Sequence, residues 1–298
     1  MKIMSEADSI ILERLHLLEQ KEGQLPDVMQ YYRELLQIQS GVESRDVVKK
    51  PTIGKDLICG RLREGKPSLV FRDFRPDWVQ VQAIFGQIIA WTAKDPANPT
   101  GERERLKTIG RNRFLLQEAA RLWYEGHSLG DIAIAKGVDN VMLTSAIAAT
   151  LKPFLRAYCS LLLPAVDQHL WQKRHCPICG GKPDFAYLDK ERGARWLICS
   201  RCDAEWLFLR LACPFCGTQE QDALSYLTDD AGSHVYRLYV CDNCRSYIKA
   251  IDLRRTSSDV LLPFERIVTV DLDRLALIKG YKPGHLETNA KVINHVAS

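Results

Sequence analysis

The chain lacks most of what marks a familiar enzyme. Its 298 residues contain no P-loop, no GxGxxG, no HExxH, and no Ser/His/Asp set that spacing would pick out. It also lacks a charge excess. With 41 basic and 37 acidic residues the net charge is +4, short of the clearly basic balance that nucleic-acid binding asks for. There is no low-complexity tract, and 46% hydrophobic with 26% charged residues is ordinary for a soluble globular protein of one large or two to three modest domains. Long apolar runs are missing too. "MKIMSEADSIILERLHLLEQ" is charged throughout, unlike the h-region of a signal peptide. "AIAATLKPFLRAYCSLLLPAV" is interrupted by Lys152, Pro153 and Arg156, and reads as a buried core helix pair rather than a membrane span. A cytoplasmic protein without a membrane span is the expectation.

Cysteine is what the chain has in excess. Of ten, eight fall in four CxxC pairs between Cys176 and Cys244. "CPICG" at Cys176 is echoed 37 positions later by "CPFCG" at Cys213. Each is followed by a second pair, "CSRC" after 19 residues and "CDNC" after 24. Knuckle, hairpin, knuckle is the spacing of a four-thiolate site. A CxxC turn converges two sulfurs on one ion, and the glycine after it (Gly180, Gly217) can take the positive φ that tightens the turn. A module of about 40 residues is too small to fold on its own core, and a structural four-thiolate ion supplies roughly 10–16 kcal/mol of apparent binding free energy toward folding. A thioredoxin-type CxxC should open a helix in a βαβ unit, whereas these knots lie between short strands. Disulfides need an oxidising compartment that nothing in the sequence indicates. Two ions per chain are expected, on Cys176, Cys179, Cys199 and Cys202 and on Cys213, Cys216, Cys241 and Cys244. Spacing leaves iron against zinc open, and leaves a crossed pairing of the four knuckles open as well. Closed four-thiolate sites have no free position for a substrate, so a non-enzyme is expected.

Periodicity divides the chain. Residues 1–170 read as a helical domain of five to seven helices. "SIILERLHLLEQ" places Ile10, Ile11, Leu15 and Leu18 on one face, "PDVMQYYRELLQIQ" starts after Pro26, and "ERERLKTIGRNRFLLQEAARLWYEG" ends at Gly126. "PSLVFRDFRP" (67–76) reads as an extended connector, and Pro153 is expected to separate two final helices. After Trp171 the texture becomes β: "DFAYL", "ARWLIC", "EWLFLRL", "ALSYL", "HVYRLYVC" and "SYIKAIDL" alternate with turns. The expected units are a first four-cysteine module over 171–211, a second over 212–254, and a short helix with a loosely held tail over 255–298. The stretch 127–147 imitates a helix-turn-helix. Its second helix carries no Lys or Arg before Lys152, so it reads as a tight αα turn. Cys59 and Cys159 read as small buried hydrophobes, and His175, beside Cys176, as a surface histidine rather than a group tuning the site.

The neighbours of the knuckles are more specific than the knuckles. Arg174 with Cys176, Cys179 and Gly180 forms Arg-x-Cys-Pro-x-Cys-Gly; Cys199 and Cys202 continue into Glu205 and Trp206, with Arg210 beyond; Cys241 and Cys244 continue into Tyr247 and Lys249. With "VDLDRLALIKGY" after them, these motifs resemble the formate dehydrogenase accessory protein family, FdhE, over most of the chain and most densely from Arg174 to Tyr281. The resemblance implies an all-helical N-terminal domain followed by two tandem rubredoxin-like (zinc-ribbon-like) modules. It implies a non-catalytic cytoplasmic factor that binds the catalytic subunit of formate dehydrogenase during maturation, with iron the associated metal and zinc easily acquired. Glu205, Trp206, Arg210, Tyr247 and Lys249 would contact that partner or brace the modules, and a homodimer is among the assemblies admitted. Two other functions stay open: a zinc-ribbon nucleic-acid binder, suggested by the tandem ribbons and by 127–147, and a rubredoxin-like electron carrier.

Overall fold

The computed structural model describes residues 6–40, 53–92, 100–228, 234–257 and 260–286. Eight α-helices come first among them: α1 (Glu6–Glu22), α2 (Asp27–Gln39), α3 (Lys55–Arg63), α4 (Trp78–Thr92), α5 (Thr100–Arg111), α6 (Arg113–Glu125), α7 (Gly130–Lys136) and α8 (Asn140–Leu162). The count exceeds the expected five to seven partly because the 102–126 segment is two helices. Asn112 breaks it, since its side chain accepts from Leu115 N and caps a new helix start. Gly126 closes α6 at φ +81° as expected.

The centre of the helical layer is α8, whose Leu143, Ile147, Leu151, Phe154, Tyr158 and Leu162 are buried at helical spacing. Against it packs α4, through Val81, Phe85 and Ile88. Pro153 does not divide α8. Proline removes the N–H that would have reached Ala149 O, and Gln39 supplies a donor in its place, with Nε2 2.7 Å from that oxygen. By length and composition α8 could cross a membrane, but 56% of its apolar window is buried in the protein, as in a core helix. Between α7 and α8 lies the tight turn expected from Gly137, which takes φ +63° and whose carbonyl accepts from Arg105 Nε at 2.6 Å.

All six expected strands are present: β1 (Pro183–Leu188), β2 (Arg195–Cys199), β3 (Glu205–Phe208), β4 (Leu224–Thr228), β5 (Tyr236–Cys241) and β6 (Ser246–Asp252). They form one mixed sheet in the order β3-β2-β1-β6-β5-β4. Each four-cysteine segment contributes an antiparallel meander, and β1 pairs in parallel with β6 from Phe185↔Lys249 to Leu188↔Asp252. The two modules therefore share a sheet. Every residue of β6 is buried, as suits a strand covered on both faces. Ile248 and Ala250 face the helical core, whereas Tyr247 and Ile251 face the other way.

The segment after Asp252 is more than one short helix. Two helices, α9 (Leu262–Val268) and α10 (Val270–Ile278), precede a two-residue strand β7 (Lys282–Pro283) that pairs with the start of β6. Ile267 of α9 joins Ile11, Leu15, Met29 and Leu36 of the first two helices in a small core, while Leu272 and Ala276 of α10 pack on Leu238 and Val240. The α9–α10 segment thus touches both the first two described helices and the second module. The expected tail beyond 286 lies outside the described residues.

Candidate metal centres

Two sets of four cysteines converge, in the uncrossed pairing. Cys176 and Cys179 lie in the turn before β1, Cys199 ends β2 and Cys202 follows it; their four sulfurs lie within 4.8 Å of one another. Cys213 and Cys216 precede β4, Cys241 ends β5 and Cys244 follows it, and these sulfurs converge in the same way. Cys176–Cys202 and Cys179–Cys199 have Sγ···Sγ distances of 3.6 and 3.5 Å, and Cys213–Cys244 and Cys216–Cys241 are both at 3.7 Å. A tetrahedron with metal–sulfur bonds of about 2.3 Å has edges of about 3.8 Å, so both sets fit a four-coordinate ion of the zinc or iron kind.

The knuckles are built alike. In the first, Cys176 N donates to Gly181 O, Gly180 N donates to Cys176 O, and Ile178 N points at Cys176 Sγ from 3.3 Å. In the second, Cys213 N donates to Thr218 O, Gly217 N to Cys213 O, and Phe215 N points at Cys213 Sγ from 3.4 Å. Gly180 and Gly217 take φ +73° and +85°, which a β-carbon would strain. Burial pushes the Cys176 and Cys213 thiols well above their ordinary range, so filling the sites displaces protons.

Their surroundings differ. The first set is wholly buried, whereas in the second Cys216 is exposed and Cys244 half-buried. The supposed connector at 67–76 is a clamp on the first knuckle: Ser68 N and Oγ both donate to Pro177 O, and Leu69 N donates to Ile178 O at 2.9 Å. Cys159 is buried in α8 as expected, and the nearby Cys202 of the first set, together with burial, pushes its thiol well above the ordinary range. Cys59 is only half-buried. His175 is not a surface group. It is half-buried, edge-on to Trp171 at 5.2 Å, with Nε2 3.3 Å from Gly65 O, and burial lowers its pKa.

An ion-pair cluster fastens the first site to the helices. Asp203, just after Cys202, accepts from Lys152 at 3.0 Å and Arg266 at 2.5 Å and lies 3.4 Å from Arg156. Arg156 also reaches Asp8 of α1, and Arg266 reaches Asp184 and Cys199 O. Burial opposes ionisation of Asp203, but Lys152, Arg266 and Arg156 outweigh it and hold the carboxyl well below the usual range. Nothing in the sequence spacing joins Asp8, Lys152, Asp203 and Arg266; only packing does.

Of the five signature residues, four point inward. Glu205 accepts from Tyr187 OH at 2.7 Å. Trp206 is fully buried and its Nε1 donates to Lys173 O at 2.9 Å. Tyr247 OH and Lys249 Nζ meet the two oxygens of Asp273 in α10 at 2.7 and 2.6 Å. Lys249, only 7% exposed, also donates to Arg266 O. Arg210 is exposed, on the wall of a cavity beside the second site.

Residues 175–210 match the family model described as "FdhE, central domain". A protein FdhE homolog of Aquifex aeolicus (strain VF5) is 27% identical over 91% of this chain and 90% of its own length. One from Shewanella baltica (strain OS185) is 29% identical over 67% and 73%. The crystal structure of the FdhE protein from Pseudomonas aeruginosa covers 97% of this chain and 99% of its own with a TM-score of 0.64, at 19% identity, a likeness of fold. Family model, relatives along most of the chain and shared fold together support the FdhE family for this protein.

Proposed function

We propose that this protein is a non-catalytic accessory factor for formate dehydrogenase, binding the catalytic subunit in the cytoplasm while that enzyme matures. The observation that carries the proposal is the pair of four-cysteine clusters inside an FdhE-like fold. Cys176, Cys179, Cys199 and Cys202 would hold one iron or zinc ion, and Cys213, Cys216, Cys241 and Cys244 the other. A bound ion ties two knuckles together and so contributes directly to folding of the sheet half. Four protein ligands leave no open position for substrate, which favours a binding role over a reaction at the metal.

The chain's own residues then do mechanical work. Lys249 and Tyr247 hold α10 on the second module through Asp273, and Lys152, Asp203 and Arg266 hold the first module on the helices. On this reading Glu205, Trp206, Tyr247 and Lys249 brace the modules, and Arg210 remains available to a partner. Deleting the gene from its host should abolish formate dehydrogenase activity while the catalytic subunit's transcript persists; full activity in the deletion strain would remove this function. A second reading, a rubredoxin-like electron carrier, draws on the exposure of Cys216. Anaerobically prepared protein containing only zinc in both sites would dispose of that one.

A further inference from the structure

Three arginines near the second cysteine cluster have no carboxylate partner among the described residues, whereas Arg245, beside Cys244, is paired with Asp242 at 2.7 Å. Arg195 on β2 is 3% exposed. Its Nη2 donates to the carbonyls of Leu209 and Ala212, the latter the residue immediately before Cys213. Its guanidinium lies 5.3 Å from the Phe208 ring centre and 5.9 Å from that of Tyr239, and its buried Nε makes no hydrogen bond. Arg174 crosses from the first knuckle to the second, where its Nη1 donates to Phe215 O, between Cys213 and Cys216, at 2.5 Å. Arg210 shares with Arg195, Cys213 and Cys241 the wall of a cavity of about 220 Å³ that no Asp or Glu lines. Among the described residues, none of the three arginines makes an ion pair with a carboxylate.

A buried guanidinium without a counter-charge costs several kcal/mol, and burial does depress Arg195, to about 10. The missing negative charge has an obvious source. Four thiolates carry two charges in excess of a divalent ion and one in excess of a trivalent ion, and Cys213, which follows the Ala212 carbonyl that Arg195 holds and shares its cavity wall, belongs to such a set. Arg201 stands in a similar relation to the first site: its backbone N–H points at Cys199 Sγ, and its guanidinium donates to the carbonyls of Trp123 and Tyr124 and lies 4.4 Å from the Trp123 ring centre.

We propose that Arg195, with Arg174 and Arg210 outside it, is the counter-charge of the second four-thiolate site, favouring its metal-filled form and a divalent over a trivalent ion. The proposal rests on the metal-site assignment above, and the two fail separately. Wild-type full-length protein that binds fewer than two zinc ions sinks the assignment, and this proposal with it, before any arginine is changed.

The test is chelator competition on the zinc-loaded full chain, together with the midpoint potential of the iron-loaded chain, for Arg195→Gln and Arg195→Lys. Arg195→Gln should weaken zinc binding at one of the two sites at least tenfold, the other serving as internal control. It should also raise the preference for ferric over ferrous iron about tenfold, which lowers the potential by about 59 mV for one electron. Arg195→Lys, which keeps the charge and loses the fork, should restore both to within about threefold of wild type. Unchanged values in Arg195→Gln, or equal impairment in Gln and Lys with no change in potential, would overturn the proposal and leave Arg195 as a carbonyl clip. If Arg195→Gln does not fold, Arg210→Gln decides. That side chain is exposed, and the same shifts of at least twofold are expected, whereas none would overturn the proposal.

Discussion

The two cysteine clusters are built on the same knuckle and live in different solvents. The first lies under the helical core, clamped by Ser68 and Leu69 and fastened through Asp203 to α8 and α9. In the second, Cys216 is exposed and Cys244 half-buried, and Arg174, Arg195 and Arg210 lie near the cluster. The same knuckle therefore does not mean the same consequence. An ion in the first site is part of the core's packing, and an ion in the second is a staple on an edge.

The strongest way to break this comparison is to remove one ligand from each. Cys179→Ser should release one ion and with it most of the roughly 10–16 kcal/mol that a structural site contributes, unfolding the sheet half and exposing its helical contacts. Cys216→Ser should also release one ion yet leave the first site filled and the helices intact. Metal content and circular dichroism of the two variants would show it; identical collapse in both would erase the distinction.

Next in size is the fastening of the first site. Asp203 sits at φ +57°, a conformation asparagine tolerates well, so Asp203→Asn tests charge with little backbone strain. It leaves Lys152, Arg156 and Arg266 without their shared carboxylate, and about 3–5 kcal/mol of destabilisation is expected in urea unfolding. The wild-type contribution has a defined pH window. Because the folded carboxyl is held below its unfolded value, its stabilisation is full above about pH 4 and is lost as pH falls toward the folded pKa. The variant should lack that acid-side loss.

A smaller difference is kinetic. A chelator should strip the second ion at least tenfold faster than the first, about 1.4 kcal/mol in barrier, because solvent already reaches Cys216 and Cys244. Since burial raises the Cys176 and Cys213 thiols, they are protonated near neutrality in the ion-free chain, and both affinities should fall as pH falls. Zinc titration at several pH values checks the sign. Smallest of all, Ser68→Ala removes one of two donors to Pro177 O and should cost about 1 kcal/mol in thermal unfolding, with metal release at the second site unchanged.

Much of the candidate site was legible before any fold was known, because a four-thiolate ion imposes a local rule: two sulfurs per turn, a glycine after the second, two turns joined by a hairpin. The six strands were legible for a similar reason, since each is a short apolar run bounded by turn residues. Pro153 was misleading. Its rule concerns a missing N–H, and Gln39, more than a hundred residues away, supplies the donor. Segment 67–76 carries no mark of its task, because its bonds to the first knuckle are made by backbone groups that any sequence possesses. Trp206 and Lys249 were singled out by their motif, but whether they faced a partner or the interior depended on neighbours such as Lys173 and Asp273 that no spacing predicts.

The sequence by itself determined which eight cysteines belong together and that the second half needs them, for ligand spacing is a property of a few consecutive residues. Only the tertiary structure decided that the two modules share one sheet through β1 and β6, that α9 packs onto the first two helices while α10 packs on the second module, and that one site is wholly buried while the other is partly open to water. Those outcomes come from contacts between segments far apart in the chain, whose free energy depends on the whole packing and leaves no local pattern to read.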